Sequence, residues 1–202
     1  MPHLCSRHPR RQKLVSAVLA VVAIVAGWSI TTSHAQGGAV ITSEEAANAV
    51  LARARAGMRA VGLTLPRDIP LKFRTRDELN TENNANGGRT NELDGFYRPY
   101  NPEEIWLVSG LSVPRTLGVL AHELTHAWQS ENAPQQDRKL QEGFATWVQY
   151  HVLLNEGYAS EAAVLTRYGD DDYRGGLLAL LALERERQMS GVVEFARTAS
   201  RL

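Results

Sequence analysis

The segment VLAHELTHAWQ, residues 119–129, contains two histidines four positions apart, with a glutamate directly after the first. In an α-helix, residues i and i+4 lie on one face, so the rings of His122 and His126 can bind one metal ion at about 2.0–2.1 Å. Glu123 lies about 100° around the helix and can reach a water beside the metal without being a ligand. The spacing therefore predicts two zinc ligands and a general base of a peptidase. A chain of this composition carries such a motif by chance in about one case in a hundred.

A catalytic zinc site usually has three protein ligands and one open position. The longer motif that adds a glycine and a third histidine is excluded, because those positions hold Gln129 and Asn132. We expect the third ligand to be Glu142, about one turn inside the next predicted helix, where the following Gly143 permits close helix approach. There are two reserve candidates for the third ligand, His151 and Glu156, although each is also explained as a surface or packing residue.

Two amphipathic helices are predicted to carry these residues. Pro114 suits a first helical position, and residues 114–130 have an apolar stripe spaced by three and four. Both histidines point roughly opposite this stripe. A second helix is predicted over residues 137–156, with Asp137 as its cap. The apolar positions of the two helices are Leu117, Leu120, Leu124 and Trp128 in the first, and Leu140, Phe144, Val148 and Val152 in the second.

The other elements predict an α+β domain, mainly helical and zincin-like, with a small antiparallel sheet. Thr42 and Glu45 have capping-box spacing and start a helix that runs to Gly62. Short strands are predicted at 71–74, 96–98 and 104–108, and the polar residues 80–95 predict a loop. Strand 104–108 could bind substrate as an added strand, although burial of its tryptophan is an equally good explanation. A last helical region is predicted over 173–199, with a break near 190–191.

The N-terminal residues have the three parts of a secretory signal: a basic start, the apolar run 14–30, and small residues before Gln36. We predict residues 1–35 to be a signal peptide, or an uncleaved membrane anchor through 14–30. Residues 36–202 would then form one exported peptidase domain, secreted, periplasmic or attached to the cell envelope. The single cysteine, Cys5, precedes the apolar run, so the mature domain would have neither a disulfide nor a thiol nucleophile.

The charge balance argues against a nucleic-acid partner. The whole chain has 22 basic and 22 acidic residues, and without residues 1–35 it has 18 basic and 22 acidic, a net charge of −4. Nucleic-acid binding needs a concentrated basic face. The expected partner is instead a peptide or protein substrate, and the sequence does not predict an oligomeric state.

Three segments resemble a known peptidase domain: EEIWLVSGLSVPRTLGVLAHELTHAWQ, LQEGFATWVQYHVLL and DDYRGGLLALLALERERQMSGVVEFARTA. They are similar to the peptidase domain of the plant LIM-domain peptidases that limit organ size, the DA-one-like domain, over residues 96–199. The resemblance implies a zinc peptidase of the glutamate-zincin type, with His122, His126 and Glu123 at its centre and Glu142 as the third ligand.

This chain departs from the family in three respects. The family typically has two acidic residues before the glycine, whereas this chain has Gln141 and Glu142. Many glutamate zincins carry an aspartate four residues after the third ligand to orient a histidine, and here that position is Thr146. The LIM and ubiquitin-interacting modules have no counterpart in this sequence, so the family's substrates and its activation by ubiquitin do not transfer.

These observations predict an exported zinc metallopeptidase. Zinc would polarise the scissile carbonyl, and Glu123 would take a proton from water and later protonate the leaving amine. A further donor to the oxyanion is expected, with four candidates that packing also explains: Tyr150, His151, Tyr168 and Tyr173. One alternative is a non-catalytic binding or scaffold protein that retains the zincin fold. Another is an anchored helical interaction module without metal.

Overall fold

The structure, a computed structural model, describes residues 38–85 and 93–202 and is mainly helical with a small sheet. Its elements are β1 (Val40–Ile41), α1 (Glu44–Ala60), β2 (Leu71–Phe73), α2 (Arg76–Ala85), β3 (Gly95–Arg98), β4 (Glu104–Leu107), β5 (Leu111–Ser112), α3 (Val113–Asn132), α4 (Arg138–Asn155), α5 (Ala159–Leu165), a π-helical turn (Asp171–Gly175) and α6 (Gly176–Thr198). The predicted α+β class is confirmed. The predicted signal peptide or anchor, residues 1–35, lies outside the described residues. Within the described ranges, no helix is long and apolar enough to cross a membrane.

Helix α3 forms the centre of the core, with α1 and α4 packed against it. The Ser112 hydroxyl accepts the Arg115 N–H at its start, and Pro114 lies in its first turn. Asp137 caps α4 as predicted, accepting the Leu140 N–H at 2.8 Å. The predicted apolar positions of both helices are at most 1% exposed. Burial of these two stripes therefore fixes which faces of α3 and α4 meet the core and which remain for a site.

The three-stranded sheet has the order β2-β4-β3 and is mixed, whereas the sequence predicts an antiparallel one. Strands β3 and β4 pair antiparallel as predicted, but β2 pairs parallel to β4. The parallel pairing is possible because α2 and β3 lie between β2 and β4 in the chain and provide a crossover connection. Strand β4 is consequently central, so the expectation that it offers a free edge to substrate is wrong, and among the described residues β3 is the edge strand on that side.

Helices α4 and α6 approach each other at two glycines. A Cβ on Gly143 would lie 2.6 Å from the Gly176 Cα, and a Cβ on Gly176 would lie 2.5 Å from the Lys139 carbonyl oxygen. Contacts this short with backbone atoms cannot be relieved by a rotamer change. The glycine after Glu142 does permit close helix approach, and the partner is the start of α6.

Two local predictions were wrong. Residues 80–85 belong to α2 and not to a loop, because a capping box starts this helix: Thr75 N–H donates to Glu78 Oε2 at 2.8 Å, and Glu78 N–H donates back to Thr75 Oγ1 at 3.2 Å. Helix α1 is capped by Ser43 and not by Thr42. The predicted break in the last helix is present and lies at Gln188, with φ 64° and ψ 173°, two residues before the expected position.

Candidate metal centre

Three predicted side chains meet between α3 and α4. Glu142 Oε2 lies 3.2 Å from His122 Nε2 and 3.4 Å from His126 Nε2, although Glu142 is 20 residues beyond the first histidine in sequence. The three potential ligand atoms all lie within 4.8 Å of one another. One turn of α3 brings the two imidazoles together, and the packing of α4 brings the carboxylate to them.

The spacing of these atoms fits a tetrahedral metal ion. Ligands at about 2.0–2.1 Å in a tetrahedron are separated from each other by about 3.3–3.4 Å. The two separations from the Glu142 oxygen to the histidine nitrogens, 3.2 and 3.4 Å, agree with this geometry. Two imidazoles and one carboxylate also form a donor set that is typical of catalytic zinc sites, which keep a fourth position open. The cluster could therefore bind a metal ion with little rearrangement.

The electrostatics of the cluster favour an ion pair when no metal is bound. Burial disfavours the charged form of His126, but the Glu142 carboxylate outweighs it and raises the pKa of His126 to about 9. Burial would also raise the pKa of Glu142, but the charge of His126 and hydrogen bonds from both histidines hold it well below its usual range. A cation at this position is therefore already stabilised by the protein, and a metal would replace the proton of His126.

Gln129 fixes the tautomer of His126. The Gln129 Nε2 donates to the carbonyl of Gln141 at 2.9 Å, which leaves its Oε1 facing His126. Because a carbonyl oxygen can only accept, the His126 Nδ1–H donates to Gln129 Oε1 at 2.9 Å, and Nε2 is free to bind a metal. In the sequence, Gln129 only shows that the longer motif with a third histidine is incomplete. Its place three residues after His126, on the same helix face, is the signal that identifies it.

Glu123 is held by the edge strand. Its Oε2 accepts the backbone N–H of Tyr97 in β3 at 2.8 Å, and the residue is 8% exposed. A Cβ on Gly95 would lie 3.2 Å from the Glu123 Cγ and 2.3 Å from Val119, so only glycine lets β3 come this close to α3. The carboxylate is thus oriented beside the cluster without being part of it.

Two further side chains border the cluster. The Tyr173 ring stacks on the His122 ring with centroids 5.8 Å apart, and burial together with the negative charge of Glu142 raises its pKa, so it carries a proton. Arg138 donates to Asp172 at 2.9 Å and places a second guanidinium nitrogen 4.0 Å from Glu142 Oε1. Arg138 thereby connects α4 to the π-helical turn that carries Tyr173.

The cluster lies where two cavities meet, with volumes of about 560 and 390 Å³. His122, Glu123 and Tyr173 line both, and β3 runs along both through Gly95. The larger cavity continues along β3 past Tyr97, and the smaller one continues along the groove between α3 and α4. An extended chain can therefore reach the cluster from either side.

The remaining candidates from the sequence do not join the cluster. His151 Nε2 lies 2.9 Å from Glu184 Oε2, and Glu156 pairs with Arg53 at 2.8 Å, so both reserve ligands have structural ion-pair or hydrogen-bond partners elsewhere. Among the four candidates for an oxyanion donor, only Tyr173 and Tyr168 line either of these cavities.

Comparison with known families gives one match. Residues 110–188 match the family model described as a peptidase of plants and bacteria, BSP. The matched segment contains the whole cluster, Glu123 and Tyr173. It supports a peptidase-family domain, and hence a hydrolase, in this chain; the finer resemblance to the DA-one-like domain stays a prediction. No curated protein and no solved structure matches the chain.

Proposed function

We propose that the chain is a zinc-dependent peptidase in which His122, His126 and Glu142 bind the metal and Glu123 is the general base. The observation that carries the proposal is the convergence of three ligand atoms, with the Glu142 oxygen at tetrahedral separations from both histidine nitrogens and a fourth side chain oriented beside them. The peptidase-family match over the same residues supports the reaction class. A structural zinc site would have no use for a base beside an open position.

The residues of the chain have separate tasks in this reaction. A bound zinc ion would supply Lewis-acid polarisation of the scissile carbonyl and a lowered pKa for water. Glu123, held by the Tyr97 N–H, takes the proton of the attacking water and then passes it to the leaving amine. We assign the oxyanion donor to Tyr173, because its hydroxyl stays protonated and its ring is fixed against His122.

Edge strand β3 would align the substrate. A peptide added beside an exposed edge strand gains main-chain hydrogen bonds without any requirement for its side chains. Strand β3 lies along the cavity beside Glu123, whereas β4 is enclosed between its two neighbours. The scissile bond would then lie over the cluster with chain on both sides.

The test is a digest of a broad peptide library by wild-type protein and by Glu123→Gln, each with its zinc content measured. The proposal expects zinc in both proteins and cleavage by the wild type alone, because the variant keeps all three ligands and loses the base. Zinc in both without any Glu123-dependent cleavage would support a non-catalytic zinc-binding protein. Protein without zinc, and without thermal stabilisation by added zinc, would support the interaction module.

Export belongs to the same proposal and rests on the pattern of residues 1–35. Expression of the full chain in a bacterial host, followed by fractionation and N-terminal sequencing, tests it. We expect the protein outside the cytoplasm with Gln36 as its first residue. Intact Met1 in the membrane fraction would identify an anchor, and intact Met1 in the cytosol would refute export.

A further inference from the structure

The smaller cavity extends the cluster along the groove between α3 and α4. It has a volume of about 390 Å³ and shares His122 and Glu123 with the larger cavity. Beyond these, Val119 and Leu165 provide apolar walls, and the exposed Tyr168 lies at the rim. A side chain of a substrate bound over the cluster can therefore enter this cavity next to the reacting bond.

One amide in the wall of this cavity has no hydrogen-bond partner among the described residues. Glu142, Thr146 and Gln149 are spaced i, i+4 and i+7 on α4, so Gln149 lies two turns from the proposed ligand on the same helix face. Gln149 is 8% exposed, and its carboxamide has no hydrogen-bond partner among the described residues. A primary amide has two donors and one acceptor, and a ligand that covers such a group without a hydrogen bond to it loses about 1–3 kcal/mol. An unpaired amide at the wall of a cavity is available to a ligand.

The surrounding residues keep the Gln149 amide accessible to a ligand in the cavity. A Cβ on Gly118 would lie 2.9 Å from Gln149 Nε2, so a larger residue at this point of α3 would displace the amide. The Thr146 hydroxyl donates to the carbonyl of Glu142 at 2.7 Å and cannot serve as a donor to a ligand. Gln149 is thus a polar group of the wall that can recognise a side chain.

The charged groups near the cavity already have partners. Arg115 donates to Asp94 at 2.8 Å, and Arg138 donates to Asp172 at 2.9 Å. Asp170 accepts the backbone N–H groups that begin the π-helical turn. An acidic substrate side chain would have to displace an aspartate from one of these arginines before it gained a counter-charge, so an acidic side chain is disfavoured.

We infer that Gln149 determines specificity in this cavity, which takes a neutral polar side chain, a carboxamide or a hydroxyl, at a fixed position beside the cleaved bond. This inference rests on the proposed peptidase function. The stem of such a side chain contacts Val119 and Leu165, while its polar end pairs with the Gln149 amide. An aliphatic side chain would leave the amide unpaired, which lowers kcat/KM by at least about tenfold.

The test uses peptides that differ at one position. The library digest first locates the position where wild type shows a preference, and matched peptides with Gln, Leu or Lys there are then compared by kcat/KM in wild type, Gln149→Leu and Gln149→Glu. We expect a Gln-to-Leu ratio of about ten or more in wild type, a ratio near or below one in Gln149→Leu, and a gain for Lys in Gln149→Glu. A ratio of two substrates within one variant does not depend on the fraction of protein that is folded.

Asn155→Leu is the matched control, since it removes an exposed carboxamide at the end of the same helix and should keep the wild-type ratio. Cleavage that depends on Glu123 but has the same Gln-to-Leu ratio in wild type and Gln149→Leu overturns the specificity assignment alone. Absence of any Glu123-dependent cleavage overturns the proposed function, and the specificity assignment with it.

Discussion

Gln129 forms hydrogen bonds with both His126 and the carbonyl of Gln141 in α4. Its substitution tests whether these hydrogen bonds support metal binding. Its side chain makes three hydrogen bonds: from His126 Nδ1 at 2.9 Å, to Gln136 Oε1 at 3.0 Å and to the carbonyl of Gln141 at 2.9 Å. Gln129→Met keeps the length of the side chain and removes all three. Loss of a partner that orients a metal-binding histidine typically weakens metal affinity by about 10- to 100-fold, or about 1.4–2.7 kcal/mol.

A second substitution separates orientation of the imidazole from general stability. Gln129→Glu can still accept the His126 Nδ1–H, but it cannot donate to Gln141. We expect both variants to lose about 1–3 kcal/mol of unfolding free energy without metal. Only Gln129→Met should lose zinc affinity, whereas Gln129→Glu should bind zinc at least as tightly as wild type.

Competition with a fluorescent zinc chelator measures the affinities, and urea denaturation of the metal-free proteins measures the stabilities. Gln135→Met, the same change at an exposed glutamine nearby, should alter neither quantity. Wild-type zinc affinity in Gln129→Met would refute the role of this hydrogen bond. An equal loss of affinity in Gln129→Glu would show that general destabilisation, and not the tautomer of His126, is responsible.

Three further predictions concern pH and packing. Because the pKa of His126 is raised to about 9, zinc must displace the His126 proton at any pH below that value. The apparent zinc affinity, measured by chelator competition, should therefore rise about tenfold per pH unit between pH 7 and 8.5. A zinc affinity that does not change with pH would contradict this. Gly143→Ala should lower the unfolding free energy by about 3 kcal/mol, because the new Cβ would lie 2.6 Å from the Gly176 backbone. Urea denaturation measures this change. An unchanged urea midpoint would show that α6 can shift away at little cost. The hydrogen bond from Arg67 holds the pKa of Glu103 below its usual range despite partial burial, so this pair stabilises the fold above about pH 4.3 and less as pH falls through the lowered pKa. Glu103→Gln should therefore be less stable than wild type by about 1 kcal/mol at pH 7, and this difference should be smaller at pH 2, as measured by thermal denaturation at both pH values.

The parts of the site that local helix geometry determines could be predicted from the sequence. The relative placement of His122, His126 and Glu123 follows from helical spacing once the helix is identified. Glu142 required a tertiary inference, and Gly143 supported it, because a glycine inside a helix indicates close contact with a neighbour. The amphipathic stripes of the two helices determine which faces are left for the site.

Other features depend on pairings between distant segments, which periodicity does not encode. The parallel pairing of β2 with β4 decides that β3 is the edge strand, yet three-residue strands carry too little pattern to indicate their partners. Helix α2 has one buried residue, Leu79, so its polar sequence resembles a loop and only its capping box indicates a helix. The contact between Tyr97 and Glu123 uses a backbone N–H, which any residue except proline would supply, and it therefore leaves no sequence signal.

The central claim is that two imidazoles and one carboxylate hold a zinc ion beside Glu123. A crystal structure of the zinc-loaded Glu123→Gln protein, with anomalous data on both sides of the zinc absorption edge, tests it most directly. We predict one zinc peak at about 2.0–2.2 Å from His122 Nε2, His126 Nε2 and a Glu142 carboxylate oxygen, with a fourth position facing residue 123. A zinc peak at other residues, or a Glu142 side chain directed away from both histidines, would contradict the account.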